Sequence, residues 1–142
     1  MRFVIPSDFE QSRDVQEQIM AEVERLGYCD AAHFAIKLGL EEAMVNAIKH
    51  GNQLDPSKKV YVEAVIGQDA AEISVEDEGE GFDRASVPDP RCDENLEKCC
   101  GRGILLIEAY MTRVQWSNRG RRCTMLRLNG PDTAAAGRSL HC

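Results

Sequence analysis

The stretch from Asp30 to His50 limits the folds open to this chain more than any other. Phe34, Ile36, Leu38, Leu40, Met44, Val45 and Ile48 surround most of its helical projection, so the spacing predicts a helix buried on more than one side. Asp30 is placed to cap its start, and Gly51-Asn52 to stop it. Yet Glu42, Asn46 and Lys49 lie four and three residues apart, which puts them on one face. A polar stripe on a buried helix is costly unless it is satisfied. Something polar must sit against it.

The segments around this helix suggest a layer to bury it. Residues 2–5 read as a short strand ended by Pro6, and Ser7 and Asp8 are good helix caps. Val15, Ile19, Val23 and Leu26 recur at helical spacing up to Gly27, an amphipathic helix. Alternating strands follow at 60–66 and 71–77. In the second of these, Ala71, Ile73 and Val75 share one face. Parity puts Asp77 with them, pointing into the core side. Residues 83–100 contain Pro88 and Pro90 among mixed charge and read as a mobile loop. Gly103 opens a helix to about Met111, and a second hairpin runs from Thr112 to Leu128 around Asn118-Arg119-Gly120. The order β-α-α-β-β-loop-α-β-β, with strands in hairpins and helices in a block, predicts an α+β two-layer sandwich. Its sheet is mixed, mostly antiparallel, with about three helices on one face. The domain spans residues 1–130, and 131–142 read as a flexible tail.

Bulk properties narrow the partners. The 142 residues suit one core. A net charge of −7 argues against nucleic acid as the partner. Arg119, Arg121 and Arg122 form the one dense basic cluster. A solvated hairpin tip is its plainer reading, a patch for an acidic protein its sharper one. No run approaches the ~20 apolar residues that span a bilayer, and the N-terminus carries no cleavage-site pattern, so a cytoplasmic location is expected. The six cysteines contain no C-x-x-C spacing and read as free thiols.

Three clusters carry the chemistry. In Glu42–His50 (E-A-M-V-N-A-I-K-H), Asn46 offers a neutral oxygen that suits magnesium when phosphates supply most other ligands. Glu42, one turn away, could accept a proton as general base, and Lys49 could meet a phosphate. In Asp77–Phe82 (D-E-G-E-G-F), the inward carboxylate is an acceptor only. It matches the exocyclic amine of adenine, which guanine lacks at that position, while Gly79 and Gly81 permit close backbone approach. In Gly101–Ile107 (G-R-G-I-L-L-I), free amides at a helix start favour anions, and Arg102 adds donors. Taken singly, each has a plain alternative: surface ion pairs, an acidic turn, a simple glycine turn. No Walker-type or dinucleotide-binding glycine motif occurs.

Together the clusters resemble a known family. E-A-x-x-N-A-x-K-H, D-x-G-x-G-F and G-R-G-x-x-L-I are similar to the N, G1 and G2 boxes of the GHKL (Bergerat-fold) ATPases, over roughly residues 1–129. Length and the strand–helix–helix opening resemble the anti-sigma-factor serine kinases of the partner-switching type. That resemblance implies binding of ATP and Mg2+, phosphorylation of a serine on a STAS-domain antagonist, and sequestration of a sigma factor. It implies Glu42 as general base, Asn46 as magnesium ligand and Asp77 as adenine reader. Gly79, Gly81, Gly101 and Gly103 become phosphate and lid hinges. Thr124 matches a threonine that the family places near Asp77. A homodimer is implied too, with the exposed face of the first helix and the opening strand as docking surfaces. The alternatives are a non-catalytic nucleotide-dependent binding switch and a histidine-kinase fragment. For the latter, none of His33, His50 and His141 sits as a phosphoacceptor should.

Overall fold

The computed structural model describes residues 1–81 and 106–130. The described elements run β1 (Arg2–Pro6), α1 (Phe9–Arg25), α2 (Asp30–Val45) ending in a π-helical turn (Asn46–Gly51), β2 (Lys59–Ile66) and β3 (Ala70–Glu76). Helical residues 106–110 (α3), β4 (Arg113–Ser117) and β5 (Arg122–Leu128) complete them. One five-stranded sheet has the order β1-β2-β3-β5-β4, and every described pairing is antiparallel. The α+β reading holds. Gly101, Arg102, Gly103, the loop at 83–100 and the tail at 131–142 lie outside the described residues.

Local chemistry explains where α1 begins and ends. Asp8 caps it by accepting from Glu10 N at 3.1 Å. At the other end Gly27 takes a left-handed φ of 71°. Gly27 N then donates to Glu24 O (3.0 Å) and Tyr28 N to Val23 O (3.4 Å). This glycine-dependent closure satisfies the last carbonyls and turns Tyr28 into the core.

The start of α2 differs from the sequence expectation. Cys29, not Asp30, is the N-cap, with no side-chain cap bond; Asp30 is the first helical residue. A carboxylate in the first turn still suits the helix dipole.

The core lies between the helices and one sheet face. Ile19, Val23, Ile36, Leu40, Met44 and Ile48 pack on Val60, Val62, Ile73, Val75 and Met125, all at most 2% exposed. Gly39 lets α2 approach Met111 closely, since a Cβ there would lie 3.0 Å from Met111 Sδ. Phe34 departs from the fully buried expectation. It is 53% exposed and meets Tyr110 edge-to-face at 5.5 Å. Arg127 is a core surprise, 2% exposed on the inner face of β5. Its Nη1 donates to Tyr110 O (2.7 Å) and Nη2 to Gly130 O (3.0 Å). The guanidinium thereby ties a carbonyl at the end of α3 to one just beyond β5.

Candidate nucleotide site

The site forms where the C-terminal end of α2 meets the end of β3. Asp77 follows β3 directly and, as parity required, faces the core side at 6% exposure. Its Oδ1 accepts from Gly79 N at 2.8 Å. Gly51 packs flat against the carboxylate, and a Cβ there would sit 2.4 Å from Asp77 Cγ. A Cβ on Gly79 would sit 2.0 Å from Gly51 O. Glycine is therefore required at both places by contact with neighbouring atoms. Burial is the main cause that pushes the Asp77 carboxyl above its ordinary range; the Gly79 amide and the charge of Arg121 oppose it.

Asn52 locks this junction, a task beyond the helix stop that its sequence position suggests. It is fully buried. Its Oδ1 accepts from Glu78 N (2.8 Å), and Nδ2 donates to Ser7 Oγ and Lys59 O, both at 3.0 Å. Glu78 is held further by Lys59 N (2.6 Å) and the Tyr61 hydroxyl (3.0 Å) on its carboxylate. One side chain thus ties the end of α2, the start of β2 and the loop after β3. Asn52→Ala would strand several buried polar groups, at about 3 kcal/mol in total. We expect a fall of about 10 °C in melting temperature, measurable by circular dichroism; an unchanged melt would refute the lock.

The π-helical turn changes the polar stripe. Asn52 N donates to Ala47 O at 2.8 Å, a closure five residues back. Such a turn holds more residues than an α turn, so the position in line with Asn46 moves from Lys49 toward His50. Lys49 is exposed, whereas His50 is half-buried and its Nε2 has no hydrogen-bond partner. Burial first, and Lys49 second, push His50 below its ordinary pKa. Lys49 is therefore not brought onto the stripe as the α spacing predicts. Glu42 and Asn46 do keep their one-turn relation, both half-buried, and neither side chain is hydrogen-bonded among the described residues. Burial, followed by the charge of Glu41, raises the Glu42 carboxyl.

Thr124 is placed elsewhere. It pairs with Ser74, and their hydroxyls are 3.1 Å apart. Paired residues share a sheet face, and Ser74 alternates with the inward Ile73 and Val75. Thr124 therefore lies across the sheet from Asp77 and the helices, which corrects its expected place beside Asp77.

Gly81 has φ 85°, and a Cβ there would meet Arg119 O at 2.4 Å. The glycine loop thus rests on the β4–β5 turn. Among the described residues no cluster of three or more His, Cys, Asp or Glu could hold a metal ion. A metal at this place would need ligands from a bound molecule besides Asn46. No described helix is long and apolar enough to cross a membrane. Cys29 Sγ donates to Gly130 O at 3.3 Å, and burial drives the Cys123 thiol up to about 12.

Comparison with known proteins agrees with this fold. A family model described as the histidine kinase-like ATPase domain matches residues 5–129. The relatives include proteins called anti-sigma F factor. That of Oceanobacillus iheyensis is 39% identical over 83 residues, 56% of each chain. That of Clostridium perfringens is 37% identical over 83 residues, 56% of this chain and 59% of its own. That of Heyndrickxia coagulans is 36% identical over 93 residues, 63% of both. The aligned part thus spans little more than half the length of these relatives. Among solved structures, the RsbU and RsbW domains of a Mycobacterium tuberculosis protein match the fold with a TM-score of 0.58 at 17% identity. That match covers 93% of this chain and 33% of the other. The chain belongs to the histidine kinase-like ATPase domain family, the GHKL or Bergerat-fold ATPases, and is similar within it to the anti-sigma factors.

Proposed function

We propose that this protein is an ATP-dependent protein serine kinase that acts as an anti-sigma factor in a partner-switching module and phosphorylates a STAS-domain antagonist. The observation that carries the reading is a buried, inward Asp77 at one end of α2 with Glu42 and Asn46 spaced back along the same helix. Asn46 precedes Gly51 by five residues and Glu42 precedes it by nine, so the two sit successively farther back along the helix axis. A nucleotide laid along α2, base at Asp77, places its phosphates toward Asn46 and its terminal phosphate toward Glu42. The names of the relatives support the anti-sigma role.

In this reading Asp77 accepts from the adenine amine, and Gly79 and Gly81 let the backbone approach the nucleotide. Gly101, Arg102 and Gly103 are assigned to the phosphates on the strength of their motif. Asn46 would hold magnesium through its side-chain oxygen, and the ion would supply neutralisation of phosphate charge. Glu42 takes the proton of the attacking serine hydroxyl as it joins the terminal phosphorus, while ADP leaves with the electrons of the broken P–O bond. The sigma factor is assigned to the exposed face of α1 and to β1, which forms one edge of the sheet. A homodimer would form through that same edge.

The test is direct. The protein is incubated with ATP, magnesium and STAS-domain proteins, and phosphoserine is mapped by mass spectrometry. Transfer to one serine of one antagonist is the expected result. Asn46→Ala should abolish the magnesium-dependent part of nucleotide affinity, about 1.5–3 kcal/mol for a lost contact to a charged group. Unchanged affinity of that variant with and without magnesium would remove Asn46 from the site.

A further inference from the structure

We infer that Arg121 is a positioning residue for the nucleotide pocket, clamping the Gly79–Gly81 backbone beneath Asp77 from the β4–β5 turn. The inference deepens the nucleotide reading above and rests on it.

Three contacts carry it. Arg121 Nε donates to Gly79 O at 2.6 Å, and Nη2 donates to Glu80 O at 3.2 Å. The carbonyl of Arg121 accepts from Asp77 N at 3.1 Å. One residue therefore holds the amide of Asp77 and the carbonyls of Gly79 and Glu80. A guanidinium suits this task, because its donors are fixed in a planar fork while a lysine offers one mobile point.

The turn that presents Arg121 is unusual. Asn118, Arg119 and Gly120 all have left-handed φ, at 51°, 59° and 82°. Side chains at two of those positions make the conformation costly, and such cost persists where the surroundings enforce it. Here the surroundings are the glycine loop itself, since Arg119 O occupies the space that a Cβ on Gly81 would need. The turn and the loop are thus shaped to each other.

The neighbouring arginine has a different task. Arg122 points to the open sheet face, 3.2 Å from Glu76 and 3.9 Å from Glu63. Arg121 is paired with no carboxylate among the described residues, and its charge acts on Asp77. The basic cluster in the sequence is therefore neither a plain solvated tip nor one continuous patch.

The test uses the full chain. Calorimetric affinity for ADP with magnesium is measured from about pH 5 to pH 8 for wild type, Arg121→Met and Arg121→Lys, with melting curves for each. Methionine keeps the apolar stem and removes charge and donors. We expect it to weaken ADP about tenfold, or about 1.4 kcal/mol, and to move the acidic limb of the affinity profile to higher pH. Lysine should leave that limb in place and recover only part of the affinity. If both variants melt lower but bind ADP as wild type does, with the same limb, Arg121 is merely structural and the inference falls alone. If wild type fails to bind ADP, the nucleotide reading falls and takes this inference with it.

Discussion

Asp77→Asn is expected to weaken ADP about a hundredfold while the protein stays folded. The reason lies in which oxygen is already committed. Oδ1 accepts from Gly79 N at 2.8 Å, so an asparagine must keep its oxygen there. Its amide nitrogen then occupies the position offered to the adenine amine, and a donor faces a donor. Loss of one charge-assisted hydrogen bond costs about 1.5–3 kcal/mol, and a hundredfold is about 2.7 kcal/mol. Stability should move the other way with pH. Burial raises the folded-state carboxyl above its unfolded value. The protonated form's contribution is therefore fully present below the unfolded pKa and is lost as pH rises through the folded one. The amide variant has no such proton to lose, so it gains on wild type from acid toward neutral pH. Calorimetry with ADP and melting curves across that range check both signs. Wild-type affinity in the variant, or a variant that loses ground as pH rises, would reject the role.

Much of the architecture was legible because it depends on short periods. Val15, Ile19 and Val23 mark a helix by spacing alone, and Gly27 ends it by a conformation that glycine adopts without strain. The inward carboxylate at Asp77 followed from a two-residue alternation that the sheet obeys. That same alternation, applied to Cys123, Thr124 and Met125, turns Thr124 away from Asp77. The family resemblance suggested otherwise, and the local pattern was the better guide.

Other parts depend on contacts between residues far apart in the chain. The π-helical closure that shifts Lys49 off the stripe is enforced by Asn52, whose partners are Ser7, Lys59 and Glu78. No local pattern distinguishes that asparagine from one in a solvated turn. Arg121 and Arg127 look alike in sequence to any surface arginine. Their tasks appear only once the β4–β5 turn meets the glycine loop and β5 meets α3. The single hint was Arg119-Gly120-Arg121 two residues after Trp116-Ser117, a turn with a bulky residue where Asn-Gly would be easier.

Glu42→Gln should reduce phosphate transfer about a thousandfold and change ADP affinity by no more than about threefold. General-base catalysis is worth roughly 10²- to 10⁴-fold, and glutamine matches the shape of glutamate while accepting no proton. Glu42 fits the base in two respects. It is half-buried with no hydrogen bond holding its carboxylate among the described residues, so its lone pairs remain available to accept a proton. Burial and the charge of Glu41 raise its pKa, which brings its basicity closer to that needed near neutral pH. The same shift sets a sign for the rate. A base works only when ionised, so single-turnover transfer should fall toward acid pH through a limb above the ordinary carboxylate range. In Glu42→Gln that limb should vanish from the residual rate. Because Glu42 lies nine residues before Gly51 along α2, while the Asp77 carboxylate sits beside Gly51, the groups proposed for chemistry and for base recognition are separated along the C-terminal part of one helix. Asp77→Asn should therefore lose binding and Glu42→Gln should lose turnover, each largely sparing the other quantity. A glutamine variant that transfers phosphate at the native rate would leave α2 a binding element without a base, and the non-catalytic switch would then be the better account.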